Sequence, residues 1–407
     1  MSEQIPYANY QYEIYLRGSM GDRSRETLAF GSHPPFGQRP ARPLDWRRLE
    51  RDAYRMLADG PRGYIAGGAG RGKTIRANRE AFDHWRIAPR MLRDVSSRTL
   101  ARTVLGTELP APVLLAPIGV QTLAHPEGEL AMARAAAEVG VPFVASTAAA
   151  HTIEEIAQVA GGLPRWYQLY WPRDRELARS FVTRAERAGY TAIVLTLDTW
   201  LLGWRPADLT NGFLPFLWGE GNCNYLQDPV FRALLPAPPE EDMQAAIGQW
   251  AWQFANPAVT WEDLAFLREC TSLPLVLKGI LRPDDARLAV EHGVQGVLVS
   301  NHGGRQVDGA IGALDALPGV VAAVDGRCEV LLDSGIRTGS DALKALALGA
   351  RAVLLGRPYV WGLALGGAPG VVEVLRSFLA DLDLAMALSG YASIDEVGPE
   401  ALVEQCR

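Results

Sequence analysis

Eight short runs dominated by Val, Ile and Leu recur between residues 112 and 358, and most are followed by a stretch with helical patterning. They read PVLLAPIGV (112–120), VPFVAST (141–147), RWYQLY (165–170), TAIVLTLD (191–198), LPLVLKG (273–279), GVLVSN (296–301), EVLLDSGI (329–336) and RAVLLGRP (351–358). Nearly continuous apolar runs of this length predict strands buried on both faces, the condition of a parallel sheet covered by helices. Segments such as PEGELAMARAAAEVG and DALKALALGA carry the helical pattern between them. Eight such units in series predict an α/β fold closed into a (β/α)8 TIM barrel. A doubly wound open sheet shows the same alternation, so the strand count by itself leaves that alternative open.

The remaining chain is read around this rhythm. Residues 1–44 are rich in Gly, Pro and Arg without periodicity and are expected to form an irregular arm. DWRRLERDAYRMLA (45–58) predicts a helix with Asp45 as N-cap, and TIRANREAFDHW predicts another. The barrel domain is expected over 45–390, with a C-terminal tail over 391–407. One gap interrupts the rhythm. Residues 199–260, rich in Trp, Phe, Gly and Asn, follow the fourth run and are expected to cover the active-site face as a lid.

Composition excludes several classes. A net charge of −6 argues against a general nucleic-acid binder, which carries a basic face. No apolar run approaches a membrane span, and the first residues lack the pattern of a secretory signal. The four cysteines have no CxxC spacing, which argues against a zinc site, and a disulfide framework is not expected at this size. A cytoplasmic location is expected.

Chemistry in a barrel sits at the C-terminal ends of the strands. Those ends carry Pro117, Ile118 and Gly119, then Ser146, Gln168 and Tyr170, then Thr196 and Asp198. The later ends carry Lys278, Ser300, His302, Asp333, Gly335, Gly356 and Arg357. Any one of these has a plain structural explanation, since buried polar groups pair with backbone. Their recurrence on one rim points to a site. DSGIRTG and GRP end the last two runs, where this architecture commonly binds phosphate, and Arg337 and Arg357 are the expected arms. Lys278 needs an anionic or electron-rich partner if it points into the mouth. A Schiff base and a lysine facing a flavin both meet that need. His302 is the candidate base and Asp198 the group that orients it. Arg205 and Arg305 are candidates for a two-armed carboxylate clamp.

SNHGGRQ (300–306) resembles the active-site signature of the FMN-dependent α-hydroxy-acid oxidases and dehydrogenases. APIG, HPEGE, YQLY, LTLDT, LKGI, DSGIRTG, ALALGA and GRPYVWG agree, so the resemblance runs from about residue 45 to about 390. LTLDTWLLGWRPADLT, NYLQDPVF and VTWEDL are most similar to the lactate 2-monooxygenase branch. The resemblance implies FMN as cofactor, a small 2-hydroxy acid and O2 as partners, and a homotetramer or larger homo-oligomer. It implies oxidative decarboxylation to an acid one carbon shorter, or else release of the 2-oxo acid with peroxide. It also assigns roles. His302 is the base, with Asp198 its partner. Arg205 and Arg305 hold the carboxylate, and Tyr64 and Tyr170 bond the substrate oxygens. Lys278 faces the N1–C2 carbonyl edge of the flavin, which is bordered by Pro117, Ile118, Gly119, Ser146, Gln168, Thr196 and Ser300. Asp333 bonds the ribityl chain. Ser334, Gly335, Ile336, Arg337, Gly356 and Arg357 lie at the phosphate end. Tyr64 comes from the resemblance alone. Two positions depart from the family's habit. Ala148 stands where bulkier residues are common and is expected to enlarge the substrate pocket. Gly119 stands where many relatives have Ala and is expected to ease oxygen access.

Overall fold

The computed structural model describes Tyr7, Tyr10, Gln11 and residues 41–405. Most of the expected arm over 1–44 lies outside the described residues. Three short strands, β1 (Trp85–Ile87), β2 (Arg102–Val104) and β3 (Thr107–Leu109), precede the barrel. The barrel strands are β4 (Val113–Leu115), β5 (Phe143–Ser146), β6 (Arg165–Leu169) and β7 (Ile193–Thr196), then β8 (Leu275–Ile280), β9 (Gly296–Val299), β10 (Glu329–Leu332) and β11 (Ala352–Leu355). Each predicted run supplies one strand. They close in the order β10-β11-β4-β5-β6-β7-β8-β9, which rules out the open sheet. Every pairing in the ring is parallel.

Strand geometry then fixes what lies inside. Side chains alternate between the two faces of a strand. One apolar residue of each strand, such as Val144, Trp166, Val194, Val276, Leu298 and Leu331, joins the small cluster that fills the barrel interior. Their neighbours, such as Phe143, Tyr167, Ile193 and Leu332, join the larger core between barrel and helices. Two residues beyond the interior layer, the same face comes round again. At the C-terminal rim it falls on Ala116, Ser146, Gln168, Thr196, Lys278, Ser300, Asp333 and Gly356. Register brings neighbours of this layer side by side, Ser146 with Gln168 and Thr196 with Lys278.

The helix Trp46–Met56 begins as expected, with the Asp45 side chain accepting from Arg48 N at 2.8 Å. The second predicted helix spans Lys73–Asp83. Two expectations change. Residues 199–260 are not an open loop. They contain the helices Pro206–Thr210, Cys223–Leu226, Pro229–Ala233 and Met243–Phe254. The last of these carries a small aromatic core, with Phe216 stacked on Trp250 at 4.9 Å and Trp250 on Phe254 at 5.2 Å. The segment after 390 is not a loose tail either. Its strand β12 (Leu402–Glu404) pairs antiparallel with β1. Among the described residues no helix is long and apolar enough to cross a membrane.

The helix Gly339–Ala347, which follows β10, packs on the long helix Arg357–Leu388 through a close backbone approach. A Cβ on Gly339 would collide with the backbone N of Leu382 and the carbonyl carbon of Asp381. Gly339→Ala is expected to lower stability by roughly 1–3 kcal/mol, the usual range for overpacking. Comparing denaturant midpoints of variant and parent checks it.

Candidate active site

The loop after β9 is built against ordinary backbone preference. His302, Gly303 and Gly304 all take positive φ, at 57°, 64° and 78°. For His302 that is a strained conformation, and strain of this kind persists only where the surroundings enforce it. The enforcing contacts are hydrogen bonds. His302 N donates to Ser300 Oγ at 3.1 Å, Gly303 N to Ser334 Oγ at 3.0 Å and Gly304 N to Asn301 Oδ1 at 3.1 Å. Asn301 is itself locked to Asn78 by two reciprocal amide bonds of 2.8 and 2.7 Å. Gly304 must be glycine for a second reason, because a Cβ there would lie 2.7 Å from Ile75 N.

This loop delivers the imidazole to Asp198. His302 Nδ1 lies 2.7 Å from Asp198 Oδ1, and Thr199 Oγ1 donates to the same oxygen at 2.8 Å. An ionised carboxylate only accepts, so Nδ1 carries the proton and Nε2 is the basic nitrogen. Lys278 Nζ stands 3.4 Å from Asp198 Oδ2 and 3.9 Å from Asp333 Oδ2. Burial alone would raise the Asp198 carboxyl; the Lys278 ammonium and the His302 imidazole reverse this and hold it well below the usual carboxylate range. Burial pushes the His302 imidazole down, Asp198 draws it part of the way back, and Lys278 and Arg205 push it down again, so it stays below its ordinary 6.5. At neutral pH the site therefore holds a neutral base beside an ionised acid.

Arg305 and Arg205 reach the same cavity, an open cleft of about 1050 Å³. Arg305 Nη1 donates to Gly67 O at 2.7 Å, and its guanidinium lies 5.1 Å from the Tyr64 ring centroid. Arg205 donates to Arg305 O at 3.1 Å and to Gln306 Oε1 at 2.7 Å. Burial and the neighbouring Arg205 push Arg305 down to about 9, the sign of a cation held without an anion. Tyr64 is raised by burial, against the pull of both arginines, and Tyr170 is raised further for the same first cause. Ala148, Leu202, Phe216 and Phe254 add an apolar wall, with Phe216 packed on Tyr64 at 6.3 Å and Phe254 on Tyr170 at 5.0 Å.

Beneath the cavity, the polar layer of the barrel has unmet hydrogen bonds. Ser146 Oγ donates to Gln168 Oε1 at 2.9 Å, which leaves Gln168 Nε2 buried and without a partner. Thr196 Oγ1 is buried and unpartnered as well. Buried polar groups in this state call for a ligand. A heterocycle edged with carbonyl and ring-nitrogen acceptors fits the amide donor and the hydroxyl beside Lys278. At the far end Ser334, Gly335, Ile336, Arg337 and Gly356 line the cleft, and Arg337 Nε is buried without a partner. The residues present thus fit a flavin with a phosphate tail.

The structure brings most of the expected residues to one cavity, with differences. Asp198 stands behind His302. Ser146, Gln168, Thr196 and Ser300 form the buried layer below the cavity. Pro117 is half-buried at the strand end, with Ile118 and Gly119 lining the cleft. Asp333 accepts from its neighbour Ser334 Oγ at 2.7 Å. Arg357 donates to three carbonyls, Ile65 O at 3.1 Å, Gly303 O at 3.0 Å and Gly67 O at 3.2 Å, so it is a tie between loops as well as a charge. The expectation for Gly119 also changes. The space that a methyl would occupy already belongs to Ala148, whose carbonyl oxygen would lie 2.6 Å from that Cβ. Gly119 is explained by this close approach of two strand ends, and its lack of a methyl opens no free channel.

Two contributors were not singled out from sequence. Thr199 bonds Asp198 and stands 3.0 Å from His302 Nδ1. Gln306 joins Arg205 to the carbonyls of Asp198 and Leu201, at 2.6 and 2.8 Å for the carbonyls. Both lie next to residues that were recognised, at 198 and 305, and that adjacency was the available signal.

Comparison with known proteins agrees with this geometry. Residues 53–404 match the family described as FMN-dependent dehydrogenase. The chain belongs to that family. L-lactate oxidase of Lysinibacillus sphaericus is 45% identical over 362 residues, 89% of this chain and 93% of that protein. An FMN-dependent alpha-hydroxy acid dehydrogenase of Penicillium citrinum is 41% identical over 401 residues, 98% of this chain and 96% of that protein. The crystal structure of mandelate oxidase is similar with a TM-score of 0.79 at 42% identity, covering 89% of this chain and 98% of that one. The protein is an FMN-dependent α-hydroxy-acid oxidoreductase.

Because His302 must be neutral to accept a proton, and its pKa is lowered, kcat/KM is expected to fall on the acid side only below pH 6.5. Asp198 is the group that raises the imidazole, so Asp198→Asn is expected to move this limb further to acid and to cut kcat/KM by roughly 10²–10⁴-fold. A pH profile of kcat/KM for both proteins checks sign and size.

Proposed function

We propose that this enzyme oxidises a 2-hydroxy acid with a side chain larger than methyl and releases the 2-oxo acid. The observation that carries the reading is the shared cavity. A His–Asp pair and two arginines meet there, facing a wall of Ala148, Leu202, Phe216 and Phe254. Arg205 and Arg305 bind the carboxylate and offset their own unmet charge. Tyr64 and Tyr170 donate to substrate oxygens, since both phenols keep their protons. This places the 2-hydroxyl toward His302 Nε2, which takes its proton while Asp198 steadies the resulting imidazolium.

FMN would be held by Gln168, Thr196, Lys278 and Asp333 along its length and by Arg337 at its phosphate, with Arg357 tying the loops around that end. Bound there it supplies the two-electron oxidant for the substrate's Cα hydrogen. Lys278 stands beside that site, 3.4 Å from Asp198 Oδ2, and a cation there favours electron gain. The net balance is 2-hydroxy acid plus O2 giving 2-oxo acid plus hydrogen peroxide.

The apolar wall favours a bulky or aromatic side chain, as in the mandelate of the similar mandelate oxidase. A second reading keeps the 2-oxo acid in place for decarboxylation to an acid one carbon shorter. The folded segment 199–260 supports it, because Leu202, Phe216 and Phe254 from that segment wall the cavity and slow product escape. Product analysis separates the two: keto acid with peroxide, or shortened acid with carbon dioxide.

In a panel of 2-hydroxy acids, kcat/KM is expected to be higher for aromatic and branched side chains than for lactate. Ala148→Leu is expected to reverse that order by filling the wall. A preference for lactate in the parent enzyme would overturn the size assignment. Arg305→Ala is expected to lower kcat/KM by roughly 10- to 100-fold, as for loss of a charged hydrogen bond.

A further inference from the structure

Arg337 lines the anion-binding end of the cleft, and the way it is held is unusual. Among the described residues no carboxylate forms a salt bridge with its guanidinium; Nη1 donates only to its own neighbour's carbonyl, Ile336 O, at 2.9 Å. Nε is buried with no partner. Glu50 favours the charge without a salt bridge among the described residues, and two indole rings face the guanidinium. The guanidinium carbon lies 4.9 Å from the Trp361 ring centroid and 5.8 Å from that of Trp46. Burial and the nearby Arg357 push Arg337 down to about 10, with Glu50 drawing it part of the way back.

Trp46 reaches this site from the first residue of the helix Trp46–Met56, seven positions before the family match begins at residue 53. Its position is well anchored. The same helix buries Leu49 and Ala53 against Trp361, and Tyr54 meets the Trp361 ring edge-on at 6.1 Å. The Trp46 ring also carries Arg79, at 5.3 Å. Arg79 donates to Asp341 Oδ2 at 2.8 Å, and that oxygen accepts from Arg337 N at 2.9 Å. The indole therefore touches both the side chain of Arg337 and the pair that fixes its backbone.

We propose that Trp46 is a positioning residue for the cofactor phosphate: its ring holds the Arg337 guanidinium in place while leaving its N–H groups to the anion. The inference rests on Arg337 being a phosphate arm. Its physical logic is competition. A carboxylate would hold the guanidinium too, but would occupy the donors that phosphate needs and cancel the charge. An aromatic face attracts the cation through its quadrupole and uses no N–H. The segment before the matched family region thereby takes part in cofactor retention.

The test is cofactor affinity in the full-length apoprotein, titrated with FMN and with riboflavin and read by flavin fluorescence. Riboflavin has the same ring and chain but no phosphate. Trp46→Ala is expected to raise the FMN Kd by roughly 5- to 30-fold, the range of a desolvated cation–π contact, with the riboflavin Kd unchanged. Trp46→Phe is expected to restore most of the loss. Arg337→Ala is expected to exceed Trp46→Ala for FMN and again to spare riboflavin. If Arg337→Ala weakens FMN but Trp46→Ala stays within about two-fold of the parent, the role given to Trp46 is wrong. Equal losses for FMN and riboflavin in Trp46→Ala would also overturn it, since the residue would then support only the fold. If Arg337→Ala leaves FMN binding intact, the phosphate arm itself is misassigned.

Discussion

The period-two alternation of eight strands, once closed into a ring, leaves little freedom in where chemistry can stand. Filling the barrel with Val144, Trp166, Val194, Val276 and their counterparts commits the positions two residues later to the upper interior. A slip of one residue in any strand would turn its polar rim residue into the apolar layer against the helices. The cost of burying Lys278 or Gln168 in the wrong layer therefore enforces register, and correct register sets Ser146 beside Gln168 and Thr196 beside Lys278. Of the residues above the layer, His302 and Arg305 come from the loop after β9 and Arg357 from the first turn of the helix Arg357–Leu388. The loop is fixed by hydrogen bonds to the layer, such as that of His302 N to Ser300 Oγ.

On this frame the cleft gathers Lys278, Arg205, Arg305, Arg337 and Arg357 in partly desolvated surroundings. Carboxylates are few beside them: Asp198 and Asp333 are drawn toward Lys278, while Asp208 acts on Arg305 and Arg205 and Glu50 on Arg337 without a salt bridge among the described residues. The arginines are instead steadied by backbone carbonyls and aromatic rings: Gly67 O and Tyr64 for Arg305, three carbonyls for Arg357, and two indoles for Arg337. Carbonyls and rings orient a cation without neutralising it. The result is two regions of unbalanced positive charge, one facing His302 and one at the far end. In the function proposed above, a substrate carboxylate and a cofactor phosphate are the groups that balance them.

Much of this was legible in sequence because strand interiors and strand ends are local patterns. The eight apolar runs gave eight strands, and the polar residues near the ends of six of them, from Ser146 to Asp333, gave most of the layer. What was not legible depends on where the chain returns. The helix Met243–Phe254 lacks a charged face and places Trp and Phe around much of its surface, so helical periodicity is weak; its Trp250 and Phe254 are explained by Phe216, some thirty residues earlier. The strand Leu402–Glu404 is too short to stand out and forms only because Trp85–Ile87 offers an edge. Asp308, in the stretch QVDG, caps the distant helix Lys73–Asp83 by accepting from Arg71 N and Lys73 N at 2.8 and 2.6 Å, a role no local pattern announces. The meaning of Gly119 likewise required the Ala148 carbonyl.

The division between barrel and excursion has a consequence for specificity. The oxidising machinery belongs to the strand ends and to the loop after β9, whose positions are set by ring closure. The apolar wall belongs largely to residues 199–260, through Leu202, Phe216 and Phe254, with Tyr170 packed on Phe254 at 5.0 Å. That wall is held by its own stacking, Phe216 on Trp250 and Trp250 on Phe254. Changing it leaves the barrel register untouched, so the side chain a 2-hydroxy acid carries can be selected separately from the bond that is oxidised. At the site the two parts are tied by Thr199 and Gln306, which bind Asp198 and Arg205 from the base of the excursion and from the loop after His302, and elsewhere by Asn224 to Thr147 O and Asp228 to Arg184. Lys278 and Thr196 sit beneath the carboxylate clamp, side by side on adjacent barrel strands.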